Sequence, residues 1–103
     1  MKLLMLNKNE VLDFLRNHRH TLKSDYNINK IGLIGSFARG EQTESSDIDL
    51  LIEFEPDTAD IYGKKVKLKQ LLTTSFHRDI DICREKYIKP YVKNYLLRDV
   101  IYV

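Results

Sequence analysis

The chain has 103 residues, of which 43% are hydrophobic and 31% charged, with only four glycines and two prolines. These proportions exclude collagen-like, low-complexity and intrinsically disordered classes, and the length predicts one globular domain over residues 1–103. The formal net charge is +2, from 17 basic and 15 acidic residues. Charge alone therefore indicates neither a nucleic-acid-binding nor a membrane-binding protein.

The cysteine content and the N-terminus bear on the compartment. Cys83 is the single cysteine, so no internal disulfide can form. The apolar start, residues 1–6, breaks at Asn7 and is too short for a signal or transmembrane segment. We therefore expect a cytoplasmic protein. A domain of this length can hold the catalytic residues but little of the structure that encloses a substrate. An enzyme of this size is therefore expected to take part of its site from a partner.

A helix is predicted first. Asn7 and Glu10 have the spacing of a capping box, and apolar residues then recur at helical spacing. Together they predict a helix over roughly residues 8–22. Residues 23–27 are rich in turn formers and predict a turn after it.

A strand and a short turn follow. Residues 28–34 are rich in β-branched side chains and end at Gly35, which predicts the first strand. One helical turn is expected at Phe37–Arg39, before Gly40. The polar, aperiodic stretch over residues 41–46 predicts a loop.

The segment 47–54 alternates with the period of a half-buried strand. Its first set of alternate positions is apolar: Ile48, Leu50, Ile52 and Phe54. The opposite face carries Asp47, Asp49, Leu51 and Glu53. The pattern predicts a second strand with a core face and an acidic face.

A lysine-rich helix is predicted next, capped by Asp57 or Thr58 and ending at about Thr74. Its inward positions are Ile61, Leu68 and Leu72, with Val66 and Leu71 beside them. Its outward positions are Lys64, Lys65, Lys67 and Lys69. Gly63 lowers the helix propensity of this segment by about 1 kcal/mol.

The last third of the chain alternates again over residues 77–83, with Asp79 and Asp81 on the face opposite two isoleucines, and predicts a third strand. Pro90 suits the first turn of a final helix over 89–98, and residues 100–103 favour a short edge strand. The resulting order, α-β-β-α-β-α, predicts an α+β layered domain: a small mixed sheet with helices packed on one face.

The chemistry is concentrated in two short stretches. Gly35 lets the backbone approach a ligand at the end of a strand, and Ser36 adds a hydroxyl beside the N–H groups that open a short helix, which suits phosphate oxygens. Asp47 and Asp49 are two residues apart on a strand, so both carboxylates leave one face with Cα atoms about 6.6 Å apart. Since Mg²⁺ is usually held between one or two carboxylates and substrate phosphates, the two stretches together indicate a metal–nucleotide site.

These residues also carry a family resemblance. Gly35-Ser36, ten residues, and then Asp47-x-Asp49 resembles the signature of the DNA polymerase β-type nucleotidyltransferase superfamily. The form Gly-Ser-x-Ala-Arg-Gly followed by Ser-Asp-x-Asp-Leu is similar to its small bacterial branch, the minimal nucleotidyltransferase (MNT) domain proteins. Further matching stretches extend the resemblance over nearly the whole chain: Asp81-Ile82-Cys83, Ile88-Lys89-Pro90 and the ending 98–103.

The resemblance implies a polymerase β-like fold and a Mg²⁺-dependent transfer of a nucleoside monophosphate, usually AMP from ATP, to an acceptor hydroxyl. By position, Gly35 and Ser36 would hold the triphosphate, while Asp47 and Asp49 would bind two Mg²⁺ ions. Asp81 would be the third carboxylate, beside the metal that activates the attacking hydroxyl.

Two assignments have alternatives. Local pattern does not separate Asp79 from Asp81 as the third acid, and the family's order of acid, two apolar residues and the Lys-Pro helix selects Asp81. Arg39 is assigned to the nucleotide, with steadying the turn or pairing with carboxylates near Asp47 as alternatives.

The resemblance also implies a partner. MNT chains are commonly antitoxins encoded beside a HEPN-domain ribonuclease toxin, which they neutralise by attaching AMP to a tyrosine. We therefore expect a complex with a HEPN toxin, with neither membrane nor direct nucleic-acid binding. The alternatives are an antitoxin that masks its toxin sterically without catalysis, and nucleotidyl transfer to a small molecule.

Two other features bear on metal binding and on partners. His18, His20 and His77 lack the paired spacing with Cys83 that a zinc site needs. The segment 87–103 carries more apolar and tyrosine residues than one helix stripe can bury. It predicts a helix across the sheet or, alternatively, a partner surface that includes Tyr87, Tyr91 and Tyr95.

Overall fold

Two short helices open the fold. The computed structural model of the chain describes residues 6–103, so most of the apolar start lies outside it. Helix α1 spans Lys8–Asn17 and helix α2 spans Arg19–Tyr26. The predicted capping box is present: the Glu10 N–H donates to Asn7 Oδ1 at 2.9 Å, and the Asn7 N–H donates to Glu10 Oε1 at 3.1 Å.

The prediction of one helix over 8–22 is wrong. The helix breaks at His18, whose backbone N–H donates to the Phe14 carbonyl and whose Nδ1 lies 2.8 Å from the same oxygen. The imidazole also stacks on the Phe14 ring, with centroids 4.0 Å apart. The turn predicted at 23–27 is likewise helical as far as Tyr26, and Asn27 ends α2 in the left-handed conformation (φ 56°). Asparagine adopts that conformation more readily than most residues, which is why the turn is confined to it.

The sheet is mixed, as predicted. Strand β1 spans Ile28–Ile34, β2 Ile48–Phe54, β3 Ile80–Arg84 and β4 Ile101–Tyr102, and their order across the sheet is β3-β2-β1-β4. Strand β2 runs parallel to β3, whereas β1 runs antiparallel to both β2 and β4. The short helix α3, Gly35–Arg39, follows β1 directly, so the predicted helical turn and the loop after it are both confirmed.

The main core lies on one face of this sheet. It joins helices α1 and α2 and the helix before β3 to the apolar face of the strands, through residues that include Leu15, Leu22, Leu33, Leu50, Ile52, Leu68, Leu72 and Ile80. The opposite face carries the acidic positions of β2 together with Ile34 and Leu51, which are 4% and 0% exposed. The polar residues of that face are therefore set among buried apolar ones.

Helix α4 spans Ile61–Phe76, so the predicted start at Asp57 or Thr58 is wrong. The cap is Asp60, whose Oδ1 accepts from the Gly63 N–H at 3.1 Å. A Cβ on Gly63 would collide with the Asp60 carboxylate, which explains a glycine inside the first turn. Asp57 has a left-handed backbone (φ 61°), so the helix does not begin there.

The two faces of α4 differ partly from the prediction. Leu68 and Leu72 are fully buried as expected, but Val66, predicted beside them, is exposed. Lys64 and Lys65 are half-buried instead of fully solvated, and Lys64 Nζ donates to the Ala59 carbonyl at 2.6 Å. Long lysine stems can cover apolar surface in this way while the ammonium group stays wet.

The end of α4 also shortens the third strand. His77 adopts the left-handed conformation (φ 54°) as the C-cap, so it cannot belong to the strand predicted from residue 77. Strand β3 instead begins at Ile80. Helix α5 spans Pro90–Leu97 with Pro90 in its first turn, and β4 forms the predicted edge strand.

Helix α5 has no buried residue, which sets it apart from a helix packed tightly across the sheet. Tyr91 and Tyr95 on this helix, and Tyr87 before it, are all exposed. Within residues 6–103, none of the helices is both long and apolar enough to cross a bilayer.

Candidate active site

The first part of the site is the turn between β1 and α3. Gly35 has φ +75°, in the region that favours glycine, and a Cβ there would collide with the Asp49 carboxylate. Glycine therefore serves two purposes: it turns the chain into α3 and lets Asp49 lie against the backbone. The Ser36 carbonyl accepts from the Glu41 N–H at 2.9 Å, and Gly40 ends α3 at φ +70°.

The second part is a row of carboxylates on the face opposite the main core. Asp49 on β2 pairs in register with Ile34 of β1 on one side and with Asp81 of β3 on the other. Asp47 lies two residues before Asp49, immediately ahead of β2. The sheet register thus brings Gly35, Asp49 and Asp81 together, although they are far apart in sequence.

The carboxylates affect one another's ionisation. Burial raises the pKa of the Asp49 carboxyl, the negative charges of Asp81 and Asp47 raise it further, and Arg39 partly offsets them. A half-buried carboxylate beside two others has lost water without gaining enough positive charge. The position is therefore one at which a cation would be stabilising.

The donor set fits magnesium held jointly with phosphate. Among residues 6–103, no three His, Cys, Asp or Glu side chains are arranged to hold a metal ion on their own. Mg²⁺ usually binds through one or two carboxylates together with substrate phosphates. Asp47 and Asp49 beside the Gly35 turn match that arrangement, and Asp81 offers a further oxygen donor across the strand.

The two candidates for the third acid occupy different places. Asp81 is exposed and lies in register with Asp49. Asp79 precedes β3, its carbonyl accepts from the Ile48 N–H at 3.0 Å, and it lines a polar depression of about 420 Å³ together with Asp47. The register therefore favours Asp81 for a role beside Asp49.

Arg39 contacts a different carboxylate from the ones anticipated. Its Nε donates to Glu41 Oε1 at 2.7 Å, and this hydrogen bond raises the pKa of the guanidinium. The pair links the end of α3 to the loop that follows, which matches the turn-steadying alternative. Its positive charge still acts on Asp49.

Sequence reasoning missed Arg78. Its Nη1 donates to the carbonyls of both Thr43 and Ser46 at 2.8 Å, and its guanidinium lies over the Phe37 ring, 5.2 Å from the centroid. One side chain thus joins the approach to β3, the loop before Asp47 and helix α3. The loop's two carbonyls are 35 and 32 residues away in sequence, so no local pattern pointed to the contact.

The comparisons with known proteins agree with this geometry. The family model of the nucleotidyltransferase domain matches residues 15–103, which include every residue of the site. The chain belongs to the nucleotidyltransferase domain family. It is therefore a nucleotidyltransferase by family, and the resemblance noted from the sequence is confirmed.

Two curated relatives span almost the whole nucleotidyltransferase chain. MJ1379 of Methanocaldococcus jannaschii, provisionally named a protein adenylyltransferase, is 39% identical over 95 residues, or 91% of this chain and 95% of the relative. Protein adenylyltransferase MntA of Thermococcus cleftensis is 30% identical over 99 residues, covering 96% and 98% of the two chains.

Solved structures share the nucleotidyltransferase fold. One that is provisionally described as a minimal nucleotidyltransferase has a TM-score of 0.74 at 29% identity, covering 93% of this chain and 95% of that chain. A toxin–antitoxin structure with AMP-PNP has a TM-score of 0.63 at 22% identity, covering 94% and 72%. The second likeness is one of fold.

Proposed function

We propose that this nucleotidyltransferase is a Mg²⁺-dependent protein adenylyltransferase that moves AMP from ATP to a tyrosine hydroxyl of a cognate HEPN toxin, and so acts as its antitoxin. The observation that carries the proposal is the register of Asp49 with Asp81, beside a glycine that has room for no side chain. The names of the curated relatives support protein as the acceptor. The toxin–antitoxin structure supports ATP as donor and a toxin as partner.

In this proposal the Gly35–Ser36 turn holds the triphosphate. Because Gly35 has no side chain, its backbone lies directly against the Asp49 carboxylate, so the turn and the carboxylate share one small area of surface. Asp47 and Asp49 would hold two Mg²⁺ ions, which supply positive charge to the phosphate oxygens when bound. Arg39 contributes positive charge near Asp49 while it steadies the turn through Glu41.

The reaction is a substitution at the α-phosphorus of ATP. The tyrosine oxygen forms a bond to the α-phosphorus as the bond from that phosphorus to the bridging oxygen breaks. Pyrophosphate leaves with the electron pair, and the hydroxyl proton passes to Asp81 and from there to solvent. Asp81 suits this task because its carboxylate is exposed on the strand beside Asp49.

Labelled ATP tests the proposal. The purified chain, Mg²⁺ and the cognate toxin are incubated with ATP labelled at either the α- or the γ-phosphate. Label should enter the toxin from α-labelled ATP only, and peptide mass spectrometry should place it on tyrosine. Asp47→Asn should abolish labelling, whereas Asp13→Asn, at an exposed carboxylate on α1, should preserve it. Labelling from γ-labelled ATP, or equal labelling by the Asp47 variant, would contradict the proposal.

A further inference from the structure

A groove of about 500 Å³ lies between the start of α4, strand β3 and helix α5. Its walls are mostly apolar, formed by Ile61, Ile82, Val92 and Leu96, with Tyr62 and Tyr87 at its opening. The two tyrosines are 80% and 69% exposed, and α5 has no buried residue. The described part of the chain leaves this apolar surface uncovered, which is typical of a binding surface.

The groove begins where the proposed site ends. Cys83 lines the groove and lies two residues after Asp81 on β3, with its side chain on the same face and its Cα about 6.6 Å away. A molecule seated in the groove therefore lies directly beside the carboxylate assigned to the acceptor hydroxyl.

The charge of the groove selects its occupant. Both charged residues that line it, Lys65 and Arg84, are cationic. Arg84 is already paired with Glu53 at 3.0 Å, whereas Lys65 has no ion pair among the described residues. Three further lysines nearby are exposed: Lys86 in the 3₁₀ turn Glu85–Tyr87, Lys89 just before α5, and Lys93 on α5. An apolar segment with acidic residues at its edge complements this surface.

We infer that the groove between α4 and α5 is the docking surface for the acceptor protein, which inserts an apolar, acid-flanked segment and so presents its hydroxyl to Asp81. The inference rests on the proposed function for the identity of the acceptor. It gives a basis for specificity toward a protein acceptor, because the acceptor would cover the apolar surface that the described residues leave open. Exposed tyrosines at the mouth of a groove are typical binding hot spots because they bury a large area at little entropic cost.

Paired variants of exposed residues test the groove. Tyr62→Ser with Tyr87→Ser removes the aromatic mouth, and Lys65→Glu reverses the charge of the wall. The matched controls are Tyr91→Ser on α5 and Lys67→Glu on α4. Both residues are exposed and lie outside the groove. Each change is combined with Asp49→Asn, so that affinity for the toxin is measured by calorimetry without turnover.

We expect the groove variants to weaken toxin binding by at least about 30-fold, in line with hot-spot truncations of 2 kcal/mol or more, and the controls to change it less than about 3-fold. In otherwise wild-type chains, the groove variants should raise KM for the toxin and leave KM for ATP unchanged. Unchanged toxin affinity in the groove variants, or no complex with the parent chain, would overturn the docking inference. An intact complex without AMP transfer would contradict the proposed function alone.

Discussion

Asp49 is held in a position that is unfavourable for an ionised carboxylate in the free chain. It is half-buried, it faces two other carboxylates, and its pKa is raised accordingly. A raised pKa means that ionisation of Asp49 destabilises the fold: its favourable contribution is lost as pH rises through the folded-state pKa. Ionised Asp49 therefore lowers the stability of the free chain, and a bound cation with phosphate would restore that stability.

Asp49→Asn should separate stability from activity. We expect AMP transfer to fall more than about 100-fold. Changing a residue that only supports a metal ligand costs up to about 100-fold, and Asp49 is itself a proposed ligand. Stability at pH 7 should be equal to or higher than that of the unmodified chain, and the gain should shrink as pH falls toward about 4, where aspartate becomes protonated. Urea denaturation across this pH range measures the difference, and a variant that is less stable at pH 7 would contradict the account.

The two left-handed glycines provide a matched pair. Gly35→Ala and Gly40→Ala both place a side chain at positive φ, at a cost of about 1 to 2 kcal/mol each. A Cβ at Gly35 would also collide with Asp49, whereas a Cβ at Gly40 would meet nothing within 4 Å. We expect the Gly35 variant to be the less stable of the two and to lose AMP transfer, and the Gly40 variant to keep it. Equal stability and equal activity would show that the close approach to Asp49 is unimportant.

At the scale of elements, Arg78 fixes the loop that connects the two halves of the site. The loop over residues 41–46 runs from the end of α3 to Asp47, and Arg78 binds two of its carbonyls while it lies over Phe37 in α3. Hydrogen bonds from charged donors contribute more than neutral ones. Movement of this loop would displace Asp47 relative to the phosphate turn.

Arg78→Ala should therefore loosen the loop before it unfolds the chain. We expect a loss of about 1 to 2 kcal/mol in stability, faster amide hydrogen exchange over residues 41–46, and a drop in activity on the order of 10-fold through misplaced ligands. Arg16→Ala, at an exposed ion pair on α1, should leave all three quantities unchanged. If exchange over the loop were unaltered, Arg78 would have no positioning role.

The elements that the sequence predicted well are those with local signals. The capping box, the β-branched run of β1, the alternation of β2 and the first-turn Pro90 each place an element within a few residues. The errors arose where a side chain competes with the backbone or a residue takes positive φ: His18 breaks the first helix, and Asp60 and His77 set the ends of α4. Those choices depend on contacts that composition does not express.

Part of the candidate site could be singled out from the sequence for a related reason. Gly35, Asp47 and Asp49 belong to short local patterns, so the chemistry that they could support can be inferred before the fold is known. The pairing of Asp49 with Asp81 required the parallel register of β2 and β3, and the loop contacts of Arg78 span more than thirty residues. Neither local periodicity nor spacing encodes such long-range pairing.

At the scale of the whole molecule, the carboxylates alone do not amount to a metal site. Within residues 6–103, no three metal-ligating side chains are grouped to bind an ion, and the proposed Mg²⁺ site therefore includes phosphate oxygens as ligands. We expect Mg²⁺ alone and ATP alone to raise the melting temperature little, and the two together to stabilise the chain by about 2.7 kcal/mol at 100 times the dissociation constant. Asp49→Asn should remove this synergy. Equal stabilisation by Mg²⁺ alone would contradict the shared site.

The acidic face of the sheet and the open groove lie side by side. Asp49 and Asp81, with Asp47 just before β2, lie on the acidic face of the sheet, while the groove with Tyr62 and Tyr87 is open beside them. In the proposed complex, the acceptor supplies the hydroxyl and covers the apolar groove beside these carboxylates.

The most direct measurement is the intact mass of the cognate toxin after co-expression with this chain. With the unmodified chain, growth should be protected and the toxin should carry the added mass of at least one AMP on tyrosine. With Asp49→Asn, the toxin should keep its unmodified mass and growth should be arrested. Protected growth with an unmodified toxin in both cases would contradict the account and show that the chain neutralises its partner by binding alone.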